Sequence, residues 1–184
     1  TQVYQKKSGG TLYLSSETHA AASLGSTTEK ISALCFGLSG IRGGCSYEGT
    51  LWAALALEKA GEDTGQYLAY ISALADEQQK YFPTAFLHIL TGGDESYAEI
   101  IQKQKQGQYW EILGSPYQRF YDTSLAFLAL VGSGATEVEA AKEYLFRVQT
   151  QDGCWNNNNI RDTAFLLYSG WPKEIIDPEP EIPI

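Results

Sequence analysis

The chain contains no methionine, only two histidines and three cysteines, and far less base than acid: 13 lysine and arginine residues against 22 aspartate and glutamate, a formal net charge of -9. Each shortage excludes something. A protein this acidic lacks the basic patch that displaces counterions from phosphates, which excludes a nucleic-acid partner. The same deficit disfavours adhesion to an anionic membrane surface. No apolar run approaches the ~20 residues of a membrane-spanning helix. The opening residues show no signal-peptide pattern. The expectation is therefore a mature or excised fragment, or else a cytosolic protein, and the missing methionine favours a start downstream of a native N-terminus. His19 and His88 are the histidines, and the cysteine spacing matches no zinc motif, so neither a metal nor a cofactor is expected. Three cysteines leave at least one unpaired. Cys45 and Cys154 lie beside glycine in loop-like stretches and form the candidate disulfide; Cys35 falls in the apolar run ISALCFGL, which predicts a helix and a core position.

What the chain does have is apolar residues in a repeating order. Hydrophobic residues make up 43% of 184 positions, enough for one domain with a real core. Five segments place a threonine at the head of a small-residue or apolar run: Thr18, Thr50, Thr84, Thr123 and Thr163. They recur at intervals of 32, 34, 39 and 40 residues, and each run ends at or near glycine, as a helix C-terminus does. Between them lie four further helical candidates, Thr28–Leu38, Thr64–Ala75, Ser96–Gln104 and Thr136–Gln149, each opening near a Ser, Thr or Asp suited to capping. The threonine-headed helices are nearly all apolar and predict an inner layer, whereas the intervening ones carry charge for an outer face. The expected fold is all-α, about five helical hairpins over residues 1–171. Strand signals are weak, and TLYL at Thr11–Leu14 is expected to be a loop segment. From 172 to 184 the proline- and acid-rich PKEIIDPEPEIPI cannot continue a helix. It is expected to be a linker or, alternatively, a cover for an open apolar edge.

The stretch Lys142–Tyr168 carries a sharper signal. Lys142, Tyr144, Leu145, Gln149, Gly153 and Trp155 follow the order basic residue, aromatic-Leu, Gln, Gly, Trp. It resembles the QW motif of the prenyltransferase and squalene-oxidase repeat family. The resemblance implies an α/α toroid, an inner ring of helices inside an outer ring, here partial. It also implies that Gln149 and Trp155 are structural, tying neighbouring hairpins through a hydrogen bond to a helix end and a stacked indole. Gly153 and Thr163 belong to the same repeat unit.

The family's chemistries each require a motif that this chain lacks. The acidic DxDD cluster of squalene-type cyclases is missing, and the Asp-Cys-His surroundings of the zinc-binding prenyltransferases do not match. The thioester Cys-Gly-Glu-Gln has only a distorted echo at Gly44–Glu48, where Glu48 stands in place of the acyl-donating glutamine. His88, in FLHIL, reads as a satisfied core histidine. Asp122 and Asp162, each directly before a threonine, are candidate acid groups together with Glu48, but helix capping explains the two aspartates equally. Tyr47, Trp52, Tyr81, Trp110, Tyr117, Arg119 and Tyr121 fall in loops or helix starts. There they either line a concave ligand site, with Arg161 adding a polar contact, or plug the centre of a small toroid.

Three functions are compatible with these residues. The first is a non-catalytic toroid module of a secreted or cell-surface microbial protein, for ligand binding or assembly. Its partner would be a small molecule, a glycan or a neighbouring domain or subunit. The second is an enzyme acting on an isoprenoid or a polysaccharide. The third is a structural subunit polymerising through open toroid edges.

Overall fold

A computed structural model describes residues 33–37 and 44–172. The Thr18 segment, Thr11–Leu14, His19 and the tail from residue 173 lie outside the described residues, so the expectations placed on them stand untested. Among the described residues the chain is mostly helical: α1 Tyr47–Lys59, α2 Gly65–Leu74, α3 Pro83–Thr91, α4 Asp94–Gln102, α5 Arg119–Ala129, α6 Thr136–Val148 and α7 Ile160–Gly170. A two-stranded ribbon, β1 Gln104–Lys105 against β2 Tyr109–Trp110, interrupts them. Sequence periodicity did not reveal it, because two-residue strands carry no alternation. Its turn places both Gln106 and Gly107 at positive φ, the backbone twist that closes tight hairpins.

The threonines sit inside their helices and cap none of them. Thr50 and Thr163 are the fourth residues of α1 and α7, and Thr123 is the fifth of α5. Capping falls to Ser46, which accepts from the Gly49 N–H, and to Asn159, which accepts from the Asp162 N–H. Each of the three threonines instead accepts a hydrogen bond from the backbone N–H of an aromatic residue on the incoming chain: Phe36 at 2.9 Å, Trp110 at 3.0 Å and Trp155 at 3.1 Å. A buried N–H without a partner would cost about 1–3 kcal/mol, so this one contact ties each connection to its helix. Thr84 departs from the pattern and donates to Glu99.

The four threonine-bearing helices pack in succession, α1 on α3, α3 on α5 and α5 on α7, while α2 lies on α1 and α3, and α4 on α3. Burial follows the sequence pattern. In α5, eight residues are buried, including the polar Asp122, Thr123 and Ser124, whereas α6 buries only Ala141 and Leu145. The core holds Leu51, Ile71, Phe86, Trp110, Leu125 and Trp155.

Two expectations at the start of the described chain are overturned. Residues 33–37 are not helical, although Thr28–Leu38 was predicted to be a helix. They run extended, pair Gly37 with Cys45 in a bridge, and give the Leu34 N–H to the Gln66 carbonyl. The disulfide is Cys35–Cys45, with Cα atoms 5.6 Å apart, and not Cys45–Cys154; Cys154 is free. The physical reason is the bridge itself. By pairing Gly37 with Cys45 it sets Cys35 beside Cys45, ten positions on, a contact that the apolar patterning behind a Thr28–Leu38 helix does not show.

Candidate functional site

Two repeated tryptophans show how the connections are held. Trp155 is 1% exposed and its indole N–H donates to the Leu145 carbonyl at 2.8 Å. Trp110, fully buried, donates to the Ile100 carbonyl at 2.7 Å, again ten residues upstream. The Trp155 ring also stacks on Trp171, with centroids 5.8 Å apart. Gln149 behaves differently from the family pattern. Its amide donates to the Gly153 carbonyl within its own turn, so the tie to the helix end is made by the indole. Gly153 permits that turn because its φ of 79° is open to glycine.

The candidate acids are also placed by loops. Asp122, 2% exposed, accepts from the Ile112 N–H at 2.9 Å and the Ser115 hydroxyl at 3.1 Å. Burial raises its pKa to about 6 against the lowering effect of those two bonds. Fully buried Asp162 accepts from the Asn156 amide and from the Arg161 guanidinium at 2.8 Å. Neither aspartate caps a free N–H of its own helix. Both hold the connection that enters that helix, a role that neighbouring sequence does not display.

A cavity of about 660 Å³ lies among α1, α3, α5 and α7, within the roughly 300–1,000 Å³ typical of small-molecule sites. Its wall is largely apolar and aromatic. Leu55, Ile89, Leu128 and Tyr168 line it, and each stands five positions after the threonine of its own helix. This regular offset is a sequence signal for lining residues that a search confined to aromatic and charged loop residues misses. Trp52 and Phe165 add rings from two of the helices. Trp52 meets Phe86 edge-on at 4.9 Å and Phe165 at 5.9 Å, and Tyr121 meets Phe165 at 5.1 Å.

The N-terminal turns of α1 and α7 meet the chain entering α5 at one end of this space. There Tyr117 donates to Glu48 across 69 residues of sequence. Tyr117 stacks on Tyr121 with centroids 4.0 Å apart, and the Arg161 guanidinium sits 5.1 Å and 5.3 Å from the two rings. Burial first, and then the bond to Glu48, push the Tyr117 hydroxyl up to about 12. Burial also raises the Tyr121 pKa. Lys59 and Val131, from the C-terminal turn of α1 and the chain just past α5, line the cavity, as does His88 of α3. Its Nδ1 lies 3.1 Å from the Gly93 carbonyl and 3.2 Å from the Ser96 hydroxyl.

Of the residues expected to bind ligand, Trp52 and Tyr121 line the cavity, and Tyr117 joins Glu48 and Arg161 at its end. Four are placed elsewhere: Tyr47, Trp110, Arg119 and Tyr81. Tyr47 is buried and donates to the Ile71 carbonyl at 2.8 Å, and Trp110 is a core residue. Arg119 turns toward α6, over the Tyr109 ring and beside the Tyr144 hydroxyl at 3.4 Å. The physical reason is shared by these three: each lies on a helix face or ribbon that packs against a neighbouring element, and loop position alone does not show which face is covered. Tyr81 packs near Tyr47, with Lys80 over its ring. Among the described residues no group of three or more His, Cys, Asp or Glu side chains is arranged to hold a metal ion, and no helix is long and apolar enough to cross a membrane. Compared with known proteins, the chain matches no family model, no curated protein and no solved structure.

Proposed function

We propose that the chain is a non-catalytic α/α-toroid module of a secreted or cell-surface microbial protein, built from prenyltransferase-like helical hairpins, which binds a small apolar molecule at its centre. The observation that carries this reading is the 660 Å³ apolar cavity walled by four threonine-bearing helices. The succession α1–α3–α5–α7, with Trp52 of α1 reaching Phe165 of α7, supports a toroidal arc. The repeated Trp–carbonyl bonds support the kinship with the QW repeat. A disulfide favours an oxidising compartment. Asp122 and Asp162 do not line the cavity, and their carboxylates are already bonded to the protein, which supports binding over catalysis.

Titration with the uncharged dye Nile red tests the reading. Saturable one-to-one binding is expected, and Ala56→Trp, which fills the cavity from α1, abolishes it without lowering the melting temperature. Non-saturable binding, or binding indifferent to Ala56→Trp, overturns it. Conversion of an isoprenoid or polysaccharide that disappears in Asp122→Asn or Asp162→Asn without loss of stability would replace it with an enzyme.

A second reading, assembly through an open edge, is favoured by apolar side chains of α7 outside the cavity, where Ile160 and Leu167 are 87% and 47% exposed. Light scattering on serial dilution decides it, since a monomer at every concentration rules assembly out.

A further inference from the structure

The charged side chains that reach the cavity wall are basic, in a protein that is acidic. The chain carries nine more acidic than basic residues, yet the lining includes Lys59 and Arg161 and not one carboxylate. The two cations stand apart, Arg161 in the first turn of α7 and Lys59 at the last residue of α1. Between them the wall is apolar: Leu55, Ala56, Ile89, Leu128, Ala129 and Phe165.

Arg161 is the better built of the two. Its Nε and Nη2 both face Asp162 Oδ1 at 2.8 Å, while among the described residues Nη1 has no partner. The guanidinium also sits over the Tyr117 and Tyr121 rings. A guanidinium fixed on one edge and open on another is prepared for a single planar anion, because orientation has been settled before the ligand arrives. Lys59, by contrast, is 67% exposed and lies 3.7 Å from Glu58, so solvent and a neighbouring carboxylate both weaken its pull.

We infer that the cavity takes an amphiphilic carboxylate, an aliphatic chain ending in one negative charge, with its head at Arg161 and its chain extending along the apolar wall toward Lys59. This rests on the binding reading above and adds the head group and the orientation. The charge of Arg161 is already paired with Asp162, so what the open edge offers a carboxylate head is charge-assisted hydrogen-bond donors rather than an unpaired charge. A cationic head would meet Arg161 directly, and a neutral head would leave the open edge unpaired.

Isothermal titration with laurate, 1-dodecanol and dodecyltrimethylammonium, each below its aggregation threshold, tests the head group on the native chain. Laurate is expected to bind at least about tenfold tighter than dodecanol, the gain of one charge-assisted hydrogen bond, and the ammonium more weakly than either. Arg161→Gln is expected to erase the preference of laurate over dodecanol. Equal binding of all three overturns the head-group inference while leaving the binding reading intact. Failure of all three, together with failure of Nile red, overturns both. Loss of the preference in Lys59→Gln but not in Arg161→Gln overturns the orientation.

Discussion

Asp122 shows how one buried carboxyl couples the folding of this chain to pH. Its folded pKa, near 6, lies above the ordinary value of 3.8 because burial outweighs the two hydrogen bonds it accepts. The folded state therefore holds this proton more tightly than the unfolded state does. The resulting stabilisation is complete below pH 3.8 and is lost as pH rises through about 6, a change of at most ~3 kcal/mol. Asp122→Asn removes the titration. Chemical denaturation of both proteins between pH 4 and pH 7 is expected to show the variant's stability rising relative to the native chain by that order, with no further divergence above pH 7. A difference independent of pH would mean that Asp122 does not hold the proton. The two tryptophans illustrate a different economy of structure. A single side chain fills a core site and also satisfies a helix-end carbonyl, which is why the indole recurs where a phenyl ring would fill space equally well.

At the level of elements, the closest fit is that between α5 and α7. A Cβ added to Gly170 would stand 2.8 Å from the Phe127 ring, nearer than packed atoms tolerate. Gly170→Ala is expected to destabilise the fold by about 1–3 kcal/mol through this overpacking. A second change, Phe127→Leu, is expected to recover part of that loss, and a double-mutant cycle in urea measures the recovery. Purely additive losses would show that α7 does not press on Phe127. The other constrained junction is the segment at 33–37 held against α1. The Cys35–Cys45 bond closes a loop whose ends are ten residues apart, and loop-closure entropy sets its contribution at about 2–3 kcal/mol. A Cys35→Ser, Cys45→Ser double variant, or the native chain in reductant, is expected to melt earlier by a corresponding amount. Cys154→Ser is expected to leave the melting temperature within a degree or so. If Cys154→Ser alone reproduced the loss, the pairing would be wrong.

Across the whole molecule, the end of the cavity is closed by contacts between residues far apart in the chain. Tyr117 and Glu48 bond across 69 positions, and Arg161 joins them from α7. Three tyrosines in this region and the adjoining core, Tyr47, Tyr117 and Tyr121, all have hydroxyls whose ionisation the fold disfavours, first of all through burial. Unfolded tyrosine loses its proton near pH 10, whereas Tyr117 retains its proton to about 12. Folding thus binds protons in this interval, and stability falls as pH rises from 10 to 12. Tyr117→Phe is expected to lessen that alkaline slope, as read from melting temperatures at half-unit steps. An unchanged slope would show that Tyr117 ionises freely in the folded chain.

Much of the architecture was legible in the residues. The placement of α2 and α6 followed from apolar periodicity, and glycine-marked ends with the threonine recurrence marked the four helices that wall the cavity. Local chemistry decides such things, since period, cap and breaker act over a few residues. The beginning of the described chain shows the converse: ISALCFGL has a helix-like pattern, but at 33–37 a bridge to residue 45 and a disulfide hold the chain out of a helix. The site was half legible. Trp52 and Tyr121 could be named from type and position, whereas Tyr47, Trp110 and Arg119 share those attributes and face other elements. Which rings are covered, which cysteines meet, and that Glu48, Tyr117 and Arg161 converge depend on how helices pack. Packing joins residues dozens of positions apart, and nothing in their neighbours along the chain records it.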